Sequence, residues 1–160
     1  MSEIVPSAAS SALDELLEVS PQVDAAVILR RAGGGLLASA PPTRDRMSDQ
    51  FGATCVRILE AAEQSRVELG REPIAQVEVA TPEGHVFIVA DADHVVAAVT
   101  DADPTVGLVF YDLKTALRAV REAAAQSDNG LVVAVAEDDS EDPDAAIAGR
   151  AGAKWRRKKS

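Results

Sequence analysis

Hydrophobic positions change their period several times along the chain, and each change marks an element. Leu13, Leu16 and Leu17 recur at helical spacing behind the capping pair Ser11 and Asp14 until Ser20-Pro21 stops the pattern, which predicts a helix of about two turns. Residues 1–9 are small and polar and read as a disordered lead-in. Residues 23–30 are rich in Val, Ile and Ala. Gly33-Gly34-Gly35 then supplies the positive φ angles of a tight hairpin, and Leu36-Leu37-Ala38 returns as the partner strand before Pro41-Pro42 ends it.

Residues 45–70 form the longest periodic run. Met47, Phe51, Cys55, Ile58 and Ala62 share one stripe, Val56, Leu59 and Leu69 lie beside it, and Gly70 stands where a helix C-cap is expected. The small residues Gly52, Ala53, Cys55, Ala61 and Ala62 would let another helix or a sheet approach closely. The apolar girth is wider than one sheet face requires, so a second packing partner is implied.

Three more strands follow. Residues 74–80 alternate, with Gln76 and Glu78 facing one way and Ala75, Val77 and Val79 the other. Residues 86–90 and 95–99 are near-continuous apolar runs, as expected of central strands covered on both faces. Thr81-Pro82-Glu83-Gly84 and Asp91-Ala92-Asp93-His94 are too short for parallel crossovers, so the sheet is predicted to be antiparallel. After Asp101-Ala102-Asp103-Pro104, with Gly107 as a flexible joint, residues 108–125 carry Leu113, Leu117 and Val120 on a helical stripe.

From Gln126 the composition changes to an acidic block at 137–142, an Ala/Gly-rich stretch at 145–153 and the basic cluster Lys154-Trp155-Arg156-Arg157-Lys158-Lys159. Residues 126–160 are too polar for a core and read as a disordered tail. Leu131-Val132-Val133-Ala134-Val135 is the exception, able to add an edge strand or dock on a groove.

Composition bounds the function. With 47% apolar residues, 160 residues suffice for one core. The 26 Asp and Glu against 16 Lys and Arg give a net charge of -10, which would repel a phosphate backbone, so no nucleic-acid partner is expected. The single cysteine, Cys55, forms no intramolecular disulfide, and no apolar run reaches the roughly 18 residues of a membrane span. The N-terminus carries Glu3 where a signal peptide needs a cation and has no apolar core region, so a cytoplasmic location is expected.

Candidate chemistry is sparse. The chain has no G-x-x-x-x-G-K-[ST] phosphate loop, and the glycine run opens no helix. His94 with Asp91 and Asp93 has the composition of a metal ligand set, yet a short turn takes the same solvated aspartates, and no metal site is expected. Cys55 lies on the apolar stripe with no base nearby in sequence. No catalytic residue and no cofactor are assigned, and the chain reads as a binding module rather than an enzyme. Arg30, Arg31, Arg44 and Arg46, around the hairpin and the entry to the long helix, are candidates to be offered to a nucleotide held by a partner, or are simply solvated. The basic tail, helped by Trp155, suits weak contact with a membrane or an acidic partner, or pairs with the acidic block beside it.

Several short signatures carry a resemblance: Ala12-Leu13-Asp14-Glu15-Leu16-Leu17; Val23-Asp24-Ala25-Ala26-Val27-Ile28 with its glycine turn and Leu36-Leu37-Ala38-Ser39; Leu69-Gly70 ahead of Gln76-Val77-Glu78-Val79; and Val106-Gly107-Leu108-Val109. Over residues 10–122 the chain resembles the roadblock/dynein light chain family. The resemblance implies an α+β fold of order α-β-β-α-β-β-β-α spanning residues 10–125. Its five-stranded antiparallel sheet would carry the long central helix on one face and the terminal helices on the other. It also implies a homodimer paired through the long helix and the third strand, with Met47, Phe51, Cys55, Ile58, Leu59, Ala62, Val77 and Val79 as the expected contacts. A small Ras-like GTPase is the implied partner, with this chain as its regulator, as a GTPase-activating partner, or as its scaffold. No catalytic residue of the family maps onto a position here. Two other readings stay open: a ligand-binding sensory domain, and a structural subunit of a signalling or motor complex that binds no GTPase.

Overall fold

In the computed structural model, which describes residues 4–42 and 46–140, the elements run α1 (Ile4–Val19), β1 (Val23–Arg30), β2 (Leu36–Ala40), α2 (Arg46–Glu68), β3 (Gln76–Ala80), β4 (His85–Ala90), β5 (His94–Thr100) and α3 (Val106–Ser140). Compactness divides the chain into Met1–Ala124 and Ala125–Ser160. The first unit holds every strand, α1, α2 and the start of α3; the second holds the rest of α3.

The strands form one antiparallel sheet in the order β2-β1-β5-β4-β3. Strands β1, β5 and β4 are flanked on both sides, and their side chains alternate between two cores. Ala26, Ile28, Phe87, Val89, Val96 and Ala98 pack towards α1 and α3, while Val27, Leu29, Ile88, Ala90, Val95 and Ala97 pack towards α2. Two-sided burial is why these strands read as continuous apolar runs. Phe87 anchors the first core edge-to-face on Phe110, with ring centroids 5.0 Å apart.

Turn residues set the breaks. Gly33 and Gly34 adopt φ of 81° and 66° in the β1–β2 hairpin, where a side chain would be strained. Gly70, at φ 64°, ends α2: its N–H donates to the Val67 carbonyl and that of Arg71 to the Arg66 carbonyl, the paired bonds of a Schellman motif.

The helix ends differ from the expectations. The first helix begins at Ile4, inside the stretch read as a disordered lead-in, because Ala9 (0% exposed) extends the stripe of Ala12, Leu13 and Leu16 and half-buried Val5 extends it further. Gly107 sits in the first turn of α3 rather than at a joint. Helix α3 also runs through residues 126–140, so Leu131-Val132-Val133-Ala134-Val135 is helical and adds no edge strand. A helix meets the segment's backbone hydrogen bonds locally, with no need of a free sheet edge. The basic cluster and Trp155 lie outside the described residues. Among the described residues no helix is long and apolar enough to cross a membrane.

Candidate functional site

Helix α2 and the neighbouring sheet edge carry most of the expected contact residues, and the structure sorts them by what they touch. Gly52 brings α2 down onto β1: a Cβ built there would lie 2.5 Å from Leu29 Cδ2. That approach seals Cys55 and Leu59 against the sheet at 1% and 2% exposure, so both belong to the chain's own core and leave nothing for a partner to touch. Burial also pushes the Cys55 thiol up to about 12, the reverse of what a nucleophile needs.

Phe51, Ile58 and Val77 are half-buried at the border of that core, and Ala62 and Val79 are half-buried too. The outer side of α2 is mostly polar, with Gln50, Thr54, Arg57, Glu60, Gln64 and Ser65 exposed beside Ala53 and Ala61. The apolar surplus read from the sequence is therefore largely consumed within the chain. What remains is the flank of Phe51 and Ile58, together with Val67 and Leu69 at the helix end, which are 61% and 72% exposed. Met47 and Arg46 open α2, and their side chains are outside the described set.

The β3 edge is open. The Ala90 N–H donates to the Ala75 carbonyl and the Thr81 N–H to the Gly84 carbonyl, so the odd-numbered residues of this segment face β4. By the alternation of an antiparallel ladder, the N–H and C=O groups of Gln76, Glu78 and Ala80 point away from the sheet. On the α1/α3 face of this edge, Glu78 Oε1 lies 2.7 Å from His85 Nδ1.

A clamp joins α2 to β3. Glu63 accepts the Ile74 N–H at 2.7 Å through Oε1 and Arg66 Nε at 3.1 Å through Oε2, while Arg66 Nη1 donates to the Arg71 carbonyl at 3.1 Å. The Ile74 hydrogen bond, reinforced by Arg66 and Arg31, holds the Glu63 carboxyl below the usual carboxylate value despite partial desolvation.

Of the four expected partner-binding arginines, only Arg30 and Arg31 have side chains among the described residues, and these two serve different ends. Arg30 is exposed at the end of β1. Arg31 is half-buried and donates through Nη1 to the Asp91 carbonyl at 2.7 Å, a structural role beside a 270 Å³ cleft that Glu60 and Glu63 also line. Arg44 lies outside the described residues. The Asp91-Ala92-Asp93-His94 segment is a turn in which Asp91 Oδ1 accepts the N–H groups of Asp93 and His94, at 2.9 and 2.8 Å. Among the described residues no group of three or more His, Cys, Asp or Glu is placed to hold a metal.

The comparisons with known proteins agree with this architecture. The family model of the Roadblock/LC7 domain matches residues 10–101. A Roadblock/LC7 domain from Streptomyces avermitilis is 15% identical, covers 70% of this chain and 93% of its own, and superposes with a TM-score of 0.64. Myxococcus xanthus MglB is 13% identical over 76% of this chain and 90% of its own, at 0.66. A structure described as MglB with tetrameric arrangement is 17% identical over 72% and 87%, at 0.62. Curated protein sequences provide no match. With a family model covering more than half of its length and a five-stranded sheet between α2 and the terminal helices, the chain belongs to the Roadblock/LC7 family.

Proposed function

We propose that the protein is a self-associating interaction module that pairs through α2 and β3 and binds a small Ras-like GTPase as its regulator or scaffold. The observation that carries the pairing is the open edge of β3. Its outward N–H and C=O groups at Gln76, Glu78 and Ala80 lie next to half-buried Val77 and Val79, so a second β3 would satisfy the backbone groups while extending the apolar border of α2. The tetrameric arrangement of a similarly folded MglB supports self-association. Family membership supports the GTPase partner and, with it, a cytoplasmic site of action. In this reading α2's outer polar face, with Arg57 and Glu60, is the surface shared by the two copies and offered to the GTPase.

Light scattering at micromolar concentration tests the first half, and a monomer at every concentration would end it. Capture of GTPases on the immobilised protein, in GDP and in a non-hydrolysable GTP analogue, tests the second. Enrichment of a Ras-like GTPase in one nucleotide state is expected, and the purified pair then shows by its hydrolysis rate whether the module activates or only holds its partner. Equal, negligible capture in both states would leave a scaffold without a GTPase.

A further inference from the structure

On the layer opposite α2, helices α1 and α3 leave a groove of about 280 Å³ between them. Leu16 and Ala116 form its buried floor, while Val19 and Tyr111 stand at its sides, 59% and 65% exposed. Leu108, one turn before Tyr111, is 47% exposed and continues the apolar stripe along α3. Large apolar side chains this open, side by side on two helices, are the mark of a surface that something covers.

The polar groups say what kind of occupant fits. Glu15 and Asp112 line the groove, and neither has an ion-pair partner among the described residues. Asp112 Oδ2 accepts no hydrogen bond from the described residues, so nothing within them offsets the acidic character of the groove. Helix α1 adds Asp14 and Glu18 and contains no Lys or Arg at all. An anionic lipid surface or an acidic peptide would be repelled; a chain with apolar side chains and a guanidinium or ammonium group beside them would not. From Leu108 to Ala119 α3 rises about 16 Å, matching roughly three turns of a second helix laid along it. We infer that the α1/α3 groove is a docking site for a cationic amphipathic helix of a partner protein. It lies on the face of the sheet opposite α2, and none of its lining residues belongs to α2 or β3, so it is separate from the pairing and GTPase reading and can be filled at the same time.

The probe is a fluorescent synthetic helix of about 18 Leu and Lys residues with one apolar face, titrated into the full-length protein by anisotropy at physiological salt. Two companion peptides accompany it: one with the same composition scrambled to destroy the face, one with Glu in place of Lys. Only the first should bind. Val19→Ser and Tyr111→Ser, at exposed positions that the fold tolerates, should each weaken it on the order of ten-fold. Asp112→Asn should weaken it several-fold, whereas Glu83→Gln, in the exposed turn between β3 and β4, should leave it unchanged. Equal binding of the scrambled peptide, or groove variants as tight as the parent, would overturn the inference. So would absence of binding by the amphipathic Leu and Lys peptide; a self-associated mass lowered by Tyr111→Ser would then make a second copy the occupant.

Discussion

Glu63 accepts the backbone N–H of Ile74 at 2.7 Å, fastening the end of α2 to the approach of β3 across the Gly70 turn. The hydrogen bond favours the ionised carboxylate, so the folded value lies below the ordinary 4.5. The sign follows: the contribution is complete above that ordinary value and disappears as pH falls through the lower folded one. Glu63→Gln resembles the protonated acid in shape and charge. Its melting temperature should fall below the parent's at neutral pH, and the two curves should converge in acid. A gap that stays constant from neutral to strongly acidic pH would mean that the charge on Glu63 contributes nothing.

Gly52 and Leu29 set how closely α2 meets the sheet. An exposed helical Gly→Ala change gains about 1 kcal/mol of helix propensity. Here the new methyl meets buried Leu29, and overpacking costs about 1–3 kcal/mol, so Gly52→Ala should leave the protein up to about 2 kcal/mol less stable in urea unfolding. In a Leu29→Val background the same change should do less harm, with a coupling on the order of 1 kcal/mol in the double-mutant cycle.

Cys55 tests whether the α2 stripe is sealed. With the thiol at about 12 and the side chain enclosed, a disulfide reagent at mildly alkaline pH should find almost no thiolate in the folded protein. Labelling should rise only as urea opens the fold, in step with loss of helical circular dichroism. Rapid stoichiometric labelling in native buffer would place Cys55 on an open surface.

The central sheet was legible because two-sided burial leaves a one-dimensional trace: the apolar runs around Phe87 and Val96 have no other soluble explanation at that length. The start of α1 was hidden because its stripe there consists of Val5 and Ala9, small residues that weigh little beside the cap-like Ser11 and Asp14. On α2 the period identified an apolar stripe but could not separate Cys55 and Leu59, at its centre, from Phe51 and Ile58, on its flank. That division depends on where Gly52 lets the helix settle on Leu29. Arg31 was unreadable for a similar reason, since the Asp91 carbonyl that captures it arrives from another strand turn. The groove residues Val19 and Tyr111 carry no periodic signal of their own; their exposure follows from how α1 and α3 lie across the sheet.

Register with β4 decides which β3 backbone groups are free, and proline substitution can read that register directly. At Glu78 the N–H points away from the sheet, so Glu78→Pro removes no ladder bond. It does lose the contact with His85, worth no more than about 1 kcal/mol at a partly exposed pair. At Val77 the N–H faces Ile88 of β4, so Val77→Pro deletes a ladder bond and strands its acceptor, at a cost of about 1–3 kcal/mol. If β3 is the edge through which two copies pair, Glu78→Pro should turn the assembly into monomers by light scattering while nearly keeping the monomer's unfolding midpoint. Glu78→Ala, which keeps the outward N–H, should still assemble, and Val77→Pro should lose stability whether or not it assembles. Full assembly of Glu78→Pro would show that the copies meet elsewhere, because a strand added at this edge needs the donor that proline lacks.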